Sequence, residues 1–123
     1  MKNLKVYNYA RCGSCIKAKK FLKTKDIPFE DIPILETPPS REQLRQMLEY
    51  VQSRGGTIRN LFNTSGKVYK EMGISKKIHT MTETEMLDLL ASNGALIKRP
   101  FVWSEHDGWV GFKEEEWEEK LKK

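Results

Sequence analysis

The stretch that decides the fold is Leu4-Lys5-Val6-Tyr7-Asn8-Tyr9-Ala10-Arg11-Cys12-Gly13-Ser14-Cys15. Residues 4–8 alternate in polarity and predict a short strand. Two cysteines, the only two in the chain, follow this strand. They stand before a helical pattern that we expect to begin near Cys15, with Gly13 or Ser14 as its cap. A thiol at such a junction meets free helix N–H groups and the positive end of the helix dipole, which favours the thiolate.

The next elements complete a strand–helix–strand unit. Ala18, Phe21 and Leu22 recur on one side of the predicted helix, and Pro28 stops it. Residues 29–34 then read as a second strand. Strand, helix and strand at this spacing predict a parallel pair joined by a right-handed crossover.

Residues 36–95 show helical patterns and no convincing strand. Two capping boxes predict helix starts, Ser40 with Gln43 and Thr82 with Glu85. Asn93-Gly94 is typical of a glycine cap at a helix C-terminus. We therefore predict a helical block over residues 36–95, inserted between the second and third strands.

The C-terminal part predicts a hairpin and a helix. Residues 101–104 and 109–112 are short apolar runs around a turn, and residues 113–123 read as a helix with i,i+4 pairs such as Glu116 with Lys120. The fold class is then α/β, a four-stranded mixed sheet with flanking helices. We predict one domain over residues 1–123, with a core of residues 1–35 and 96–123.

The composition of the 123-residue chain suits a folded globular protein. Hydrophobic residues make up 38% and charged residues 32%. The chain has no apolar run of membrane-spanning length and no signal-peptide pattern, so we expect a cytoplasmic protein without a membrane partner. The net charge of +5 favours anionic partners: an oxyanion, glutathione or an acidic protein surface. The sequence contains no DNA-reading motif, and we expect no direct nucleic-acid binding.

The Cys12-Gly13-Ser14-Cys15 motif admits three interpretations. A structural zinc site needs more ligands than two cysteines, and His79 and His106 belong to no paired-ligand motif. An inert pair or a permanent disulfide is unusual where the cytoplasm keeps thiols reduced. In the redox interpretation, Cys12 attacks and Cys15 resolves the adduct by forming a disulfide. Positive charge on Arg11, Lys17 and Lys19 favours the thiolate.

Two further segments are candidate parts of a site. Arg99-Pro100 precedes the third strand, where the chain enters the sheet beside the cysteine loop. Arg99 offers a bidentate fork for an oxyanion or carboxylate, and Pro100 suits a cis peptide bond. The alternative is a surface arginine before a trans proline. Asn63-Thr64-Ser65-Gly66 suits an anion nest or, alternatively, a plain turn with a helix cap.

Together these residues resemble the ArsC family of thioredoxin-fold proteins, which includes glutaredoxin-coupled arsenate reductases and the Spx and YffB branches. The resemblance runs nearly end to end. It is carried by residues 7–15 and by the segments Leu35-Glu36-Thr37-Pro38-Pro39-Ser40-Arg41, Leu61-Phe62-Asn63-Thr64-Ser65-Gly66-Lys67-Val68-Tyr69, Leu96-Ile97-Lys98-Arg99-Pro100 and Val110-Gly111-Phe112.

The resemblance implies a thioredoxin-like sheet with an inserted helical domain. It also implies that Cys12 matches the nucleophilic cysteine, Arg99 an arginine facing it, and Pro100 the cis-proline position. The arsenate reductases surround their cysteine with three arginines and have no cysteine at the position of Cys15. Here Asn63 stands at a second arginine position, and Phe112-Lys113-Glu114 offers no third.

Two functions follow as hypotheses. The first is a thiol oxidoreductase with Cys12 and Cys15 as its redox pair and Arg99, Arg11 and Asn63 as substrate-binding residues. It would reduce an oxyanion, a glutathione adduct or a disulfide. We expect no bound cofactor or metal, and thioredoxin, glutaredoxin or glutathione as the external reductant. The second is an Spx-like redox-sensing regulator that binds RNA polymerase, with the disulfide as its switch.

Overall fold

The computed structural model describes residues 4–121, in which four short strands form one sheet. The strands are β1 Lys5–Asn8, β2 Glu30–Pro33, β3 Phe101–Trp103 and β4 Gly108–Val110, in the order β2-β1-β3-β4. β1 runs parallel to β2 and antiparallel to β3, and β3 runs antiparallel to β4. The predicted four-stranded mixed sheet is thus confirmed.

Six α-helices accompany the sheet in the described part of the chain. They are α1 Gly13–Thr24, α2 Arg41–Gln52, α3 Lys67–Glu71, α4 Ile74–Lys77, α5 Glu83–Ser92 and α6 Glu114–Lys120. Short 3-10 turns span Ile58–Leu61, Ile78–Thr80 and Gly94–Leu96. Helices α2 to α5 lie between β2 and β3 in the chain, as the predicted helical block requires. The division of the chain at residues 36 and 95 stays a prediction.

The ends of two predicted elements fall outside the description. Residues 1–3 of the predicted core, and Lys122 and Lys123 of the predicted last helix, lie outside residues 4–121. No helix within that range is long and apolar enough to cross a membrane.

The sheet separates two apolar clusters because alternate residues of its strands point to opposite faces. Val6 and Val102 face α1 and α6, where Trp109 and Trp117 are also fully buried. The other face carries Tyr7, which packs edge-on against Phe101 with ring centroids 5.7 Å apart and belongs to the cluster formed with α2 and α5.

Both predicted capping boxes are present. The Ser40 hydroxyl accepts from the Gln43 N–H at 3.1 Å, and the Gln43 side chain accepts from the Ser40 N–H at 2.9 Å. The Thr82 and Glu85 pair repeats this exchange at 3.1 and 3.0 Å. Each box satisfies two N–H groups that a helix start would otherwise leave without partners.

The predicted helix end at Asn93-Gly94 is confirmed, with Asn93 as the C-cap residue of α5, but Gly94 does not form a glycine cap. The backbone of Gly94 does not adopt the left-handed conformation that a glycine cap requires. Instead, the Asn93 side chain accepts from the Ala95 N–H at 3.0 Å and opens a 3-10 turn. A Cβ on Gly94 would lie 2.1 Å from the Ile34 carbonyl oxygen, so glycine is needed here for close packing.

Candidate active site

The cysteine loop turns directly from β1 into α1. The Cys12 N–H donates to the Tyr9 carbonyl at 3.0 Å, and the Cys12 carbonyl accepts the first helical bond, from Ile16, at 3.1 Å. The helix start is two residues earlier than the predicted start near Cys15, and the predicted cap at Gly13 or Ser14 is wrong. α1 begins at Gly13 and Cys12 is the N-cap residue, because the turn closed at Tyr9 starts the helix two residues earlier.

The N-terminus of α1 lacks the usual side-chain cap. Cys12 makes no capping hydrogen bond through its side chain, and the first turn contains no acidic residue. The first N–H groups of α1 therefore keep their positive partial charge without a neutralising side chain. Such an end attracts a negatively charged group that lies next to it.

The two thiols have different surroundings. Both are free, Cys12 is partly exposed, and Cys15 is completely buried. Burial is the main reason that the pKa of Cys15 rises to about 12, and the hydrogen bond and charge of Cys12 raise it further. A backbone hydrogen bond from Tyr9 and the positive charge of Arg99 oppose this rise. Cys15 is consequently a protonated thiol at neutral pH.

Arg99 and Pro100 meet the cysteine loop through the register of the sheet. Tyr7 of β1 pairs with Phe101 of β3, so the two residues before Phe101 lie beside the end of β1 where the loop begins. The Arg99–Pro100 peptide bond is cis, as expected at this position. The Arg99 guanidinium lies over the Tyr9 ring, 5.1 Å from its centroid. Because Arg99 also acts on the pKa of Cys15, the structure brings Tyr9, Arg99 and the cysteine pair together.

Asn63 and Arg11 are placed differently. Asn63 follows a bridge between Phe62 and Ile97, and its backbone N–H donates to the Leu96 carbonyl at 2.8 Å. The chain around Asn63 is therefore paired with the segment that leads to Arg99. Its side-chain oxygen accepts from the Ser65 hydroxyl at 3.4 Å rather than from either thiol. Arg11 is exposed in the loop before Cys12.

Tyr9 and Asn8 are the site residues that sequence reasoning missed. The buried Asn8 amide donates to the carbonyls of Val6 and Ile32, at 3.0 and 3.3 Å, and to the Asp31 carboxylate. Asp31 in turn forms an ion pair with Lys19 of α1 at 3.2 Å. This network ties the end of β1 to β2 and α1 behind the cysteine loop. The available signal was an asparagine at the end of an apolar strand, followed by an aromatic residue.

The structure assembles no metal site from the described residues. Between residues 4 and 121, it brings together no group of three or more His, Cys, Asp and Glu side chains that could hold a metal ion. The two cysteines thus stand without the further ligands that a structural zinc site requires.

Comparisons with known proteins agree with this geometry. A model of the ArsC family matches residues 7–120. The chain is 43% identical over 117 residues to the uncharacterized protein YusI of Bacillus subtilis, covering 95% of this chain and 97% of YusI. It is 30% identical over 105 residues to the global transcriptional regulator Spx of Streptococcus mutans, covering 85% of this chain and 73% of Spx.

A solved structure extends the likeness to three dimensions. The crystal structure of an ArsC family related protein from Bacteroides fragilis has a TM-score of 0.88 and 42% sequence identity. The superposed region covers 95% of this chain and 96% of that one. With a family match over nearly its whole length and the predicted thioredoxin-like sheet in place, the chain belongs to the ArsC family.

Proposed function

We propose that the chain is a thiol–disulfide oxidoreductase in which Cys12 attacks and Cys15 resolves. The observation that carries this proposal is the contrast between the two thiols. Cys12 is partly exposed at an uncapped helix N-terminus, whereas Cys15 is buried with a pKa raised to about 12. An attacking thiol must be accessible to the substrate and must have a stabilised thiolate. A resolving thiol must lie close to the attacking sulfur and stay protonated until the mixed disulfide has formed.

The first step is a thiolate attack. The Cys12 thiolate attacks one sulfur of a substrate disulfide R–S–S–R′, the S–S bond breaks, and R′S⁻ leaves with the bonding electron pair. Cys12 is then joined to R in a mixed disulfide. A glutathione adduct of a protein thiol is a disulfide of this kind and reacts in the same way.

The second step uses Cys15. Its thiol loses a proton to the departing R′S⁻ or to water, its sulfur attacks Sγ of Cys12, and RS⁻ leaves. Because the hydrogen bond and charge of Cys12 contribute to the high pKa of Cys15, forming the mixed disulfide removes both and makes Cys15 easier to ionise. The substrate has gained two electrons, and the protein carries the Cys12–Cys15 disulfide.

A reductant must return the disulfide to two thiols. We propose thioredoxin, glutaredoxin or glutathione for this role, with Arg99 and Arg11 as the cations that receive carboxylates of a glutathione-bearing substrate. As substrates, we propose disulfides and glutathione adducts ahead of an oxyanion. The positive charge of Arg99 lowers the pKa of Cys15, and the Asn63 side chain is engaged with Ser65.

Two serine variants test the chemistry. Cys12→Ser should abolish reduction of hydroxyethyl disulfide, a glutathionylated peptide and arsenate, whichever of them the wild type reduces. Cys15→Ser should still react once and then stall as a mixed disulfide with glutathione on Cys12, which intact-mass spectrometry detects. Turnover by Cys12→Ser at the wild-type rate would rule out the assignment of the nucleophile.

A second candidate function rests on the similarity to Spx. A relative described as a global transcriptional regulator is 30% identical over 85% of this chain. In this alternative, the Cys12–Cys15 disulfide changes the affinity for RNA polymerase and is not a step in turnover. Pull-down of RNA polymerase with the reduced and the oxidised protein distinguishes the two functions. Binding in one redox state supports the regulator, and no binding in either state excludes it.

A further inference from the structure

One face of α1 leads from Cys12 across the surface of the protein. Ile16, Lys20 and Thr24 follow Cys12 at intervals of four residues, and residues four apart lie on the same side of a helix. All three are exposed, Ile16 to 54%, the largest exposure among the big apolar side chains of residues 4–121. With Lys17 they form a surface that we call the α1 ridge. It extends about 18 Å from Cys12 to Thr24.

The α1 ridge borders a groove between α1 and α6. The groove has a volume of about 420 Å³, and Phe21 and Phe112, with ring centroids 5.8 Å apart, supply its aromatic lining. Lys17, Lys20 and Thr24 of the ridge line it as well, together with Lys25, Glu114 and Glu118. Ile16 is therefore not an isolated apolar residue, because the ridge connects it to a second apolar surface.

The two lysines of the α1 ridge are unpaired within residues 4–121, although Glu114 and Glu118 of α6 line the groove that they border. Helix α1 contains no aspartate or glutamate. Within residues 4–121, Lys17 and Lys20 form no ion pair, whereas Lys19 pairs with Asp31 and Lys25 pairs with Glu118, both at 3.2 Å. Two unpaired positive charges thus stand between the reactive cysteine and the groove, and their aliphatic stems add to the apolar surface.

We propose that the α1 ridge docks a polypeptide substrate whose oxidised cysteine is flanked by acidic and apolar residues. The inference rests on the proposed chemistry of Cys12 and extends it to a class of macromolecular substrate. A length of about 18 Å matches five or six residues of an extended peptide. Acidic residues of that peptide would meet Lys17 and Lys20, and apolar ones would cover Ile16 and enter the groove.

A pair of peptides tests this surface. Both carry one glutathionylated cysteine, with glutamate and leucine flanks in one and lysine and leucine flanks in the other, and hydroxyethyl disulfide is the small reference substrate. The readout is kcat/KM for the acidic peptide divided by kcat/KM for the reference. We expect this ratio to fall about tenfold in Lys20→Glu and several-fold in Ile16→Ser. Lys70→Glu, the same charge reversal on exposed α3, is the matched control and should change it less than about twofold.

Two results would overturn the docking surface. One is a wild-type enzyme that does not prefer the acidic peptide, and the other is an equal fall of the ratio in Lys70→Glu. Fluorescence anisotropy with serine in place of the peptide cysteine measures binding without thiol chemistry. Binding of the acidic peptide through Ile16 and Lys20 without reduction of any disulfide would refute the proposed function and keep the surface. Reduction of the disulfides without binding that depends on the flanking residues would refute the docking surface and keep the proposed function.

Discussion

Cys12 and Cys15 are three residues apart in the sequence, yet their surroundings differ, as the proposed attacking and resolving roles require. Cys12 occupies the N-cap of α1, where its side chain is partly exposed. Cys15 lies one turn further along and is completely buried, with the Tyr9 backbone and Arg99 as the groups that lower its raised pKa. Solvent access favours attack by Cys12, and the raised pKa of Cys15 makes that buried thiol the less reactive of the two.

This difference predicts the order of alkylation. With limiting iodoacetamide at pH 7.5, Cys12 should be labelled at least about tenfold faster than Cys15, since the thiolate is the reactive form and the Cys15 pKa is about 12. Peptide mass mapping after a short reaction gives the ratio. Unfolding the protein in guanidinium chloride before labelling is the control and should make the two rates similar. Equal labelling in the folded protein would contradict the proposed roles.

At the scale of single residues, the sequence indicated Cys12, Cys15 and Arg99 because each carries a distinctive chemistry in a recognisable place. It did not reveal Tyr9, whose role as a platform for Arg99 depends on two segments about 90 residues apart in the chain. The role of Asn63 in substrate binding stays a prediction, and its side-chain oxygen accepts from the Ser65 hydroxyl two residues later at 3.4 Å. A side chain that can form a hydrogen bond either to a neighbour in the sequence or to a distant residue cannot be given a role from its residue type alone.

At the scale of elements, helix starts with a side-chain cap were predictable and those set by other contacts were not. The capping boxes at Ser40 and Thr82 depend on residues three apart and are visible in any sequence. The start of α1 depends on a turn closed by the Tyr9 carbonyl, with no capping side chain to indicate it. Gly94 resembled a helix cap, whereas its actual constraint comes from Ile34, 60 residues earlier.

The contact at Gly94 predicts a large loss of stability in Gly94→Ala. The added Cβ would lie 2.1 Å from the Ile34 carbonyl oxygen and about 3.0 Å from its carbon, and backbone atoms cannot move aside as a flexible side chain can. We expect the free energy of unfolding to fall by about 2 kcal/mol or more. Urea unfolding followed by tryptophan fluorescence measures it.

Gly13→Ala is the matched control for this prediction. Gly13 is the first residue of α1, and a Cβ there would have no neighbour within 4 Å. The free energy of unfolding should stay the same or rise by up to about 1 kcal/mol, because alanine restricts the unfolded chain more than glycine does. A similar loss in both variants would contradict the packing argument at Gly94.

At the scale of the whole molecule, the sheet order gives the site its geometry. β1 is central, with β2 on one side and β3 on the other, so the cysteine loop after β1 and the Arg99-Pro100 segment before β3 meet at one end of the sheet. The strand patterns and the family resemblance were enough to predict this meeting. The ion pairs between distant elements were not, and Lys120 shows why.

Lys120 was expected to pair with Glu116 along α6, but in the structure it joins a network centred on Asp107. Its ammonium lies 3.1 Å from one Asp107 oxygen, and Arg54, just beyond the end of α2, contacts the other. The Gly108 N–H also donates to the Asp107 carboxylate at 2.8 Å. Asp107 therefore connects the β3–β4 hairpin to the helices on both faces of the sheet.

This network predicts a pH-dependent contribution to stability. Partial burial would raise the pKa of Asp107, but the Gly108 N–H, Lys120 and Arg54 outweigh it, so the pKa lies below its usual value. Because the folded pKa is below the unfolded one, about 3.9, the stabilisation is complete above about pH 5 and is lost as the pH falls through the folded pKa. Asp107→Asn keeps an acceptor for Gly108 and removes only the charge.

We therefore expect Asp107→Asn to lower the free energy of unfolding by about 1–2 kcal/mol at pH 7. The difference from wild type should shrink towards zero as the pH is lowered below about 3. Urea unfolding at pH 7, 5 and 3 measures the trend. Asp88→Asn removes the same charge from a more exposed carboxylate, whose one ion-pair partner within residues 4–121 is Arg41. It should cost less than about 0.5 kcal/mol at every pH, because exposed single ion pairs contribute little. A loss in Asp107→Asn that is independent of pH, or no larger than in Asp88→Asn, would mean that the Asp107 charge does not hold the two faces of the sheet together.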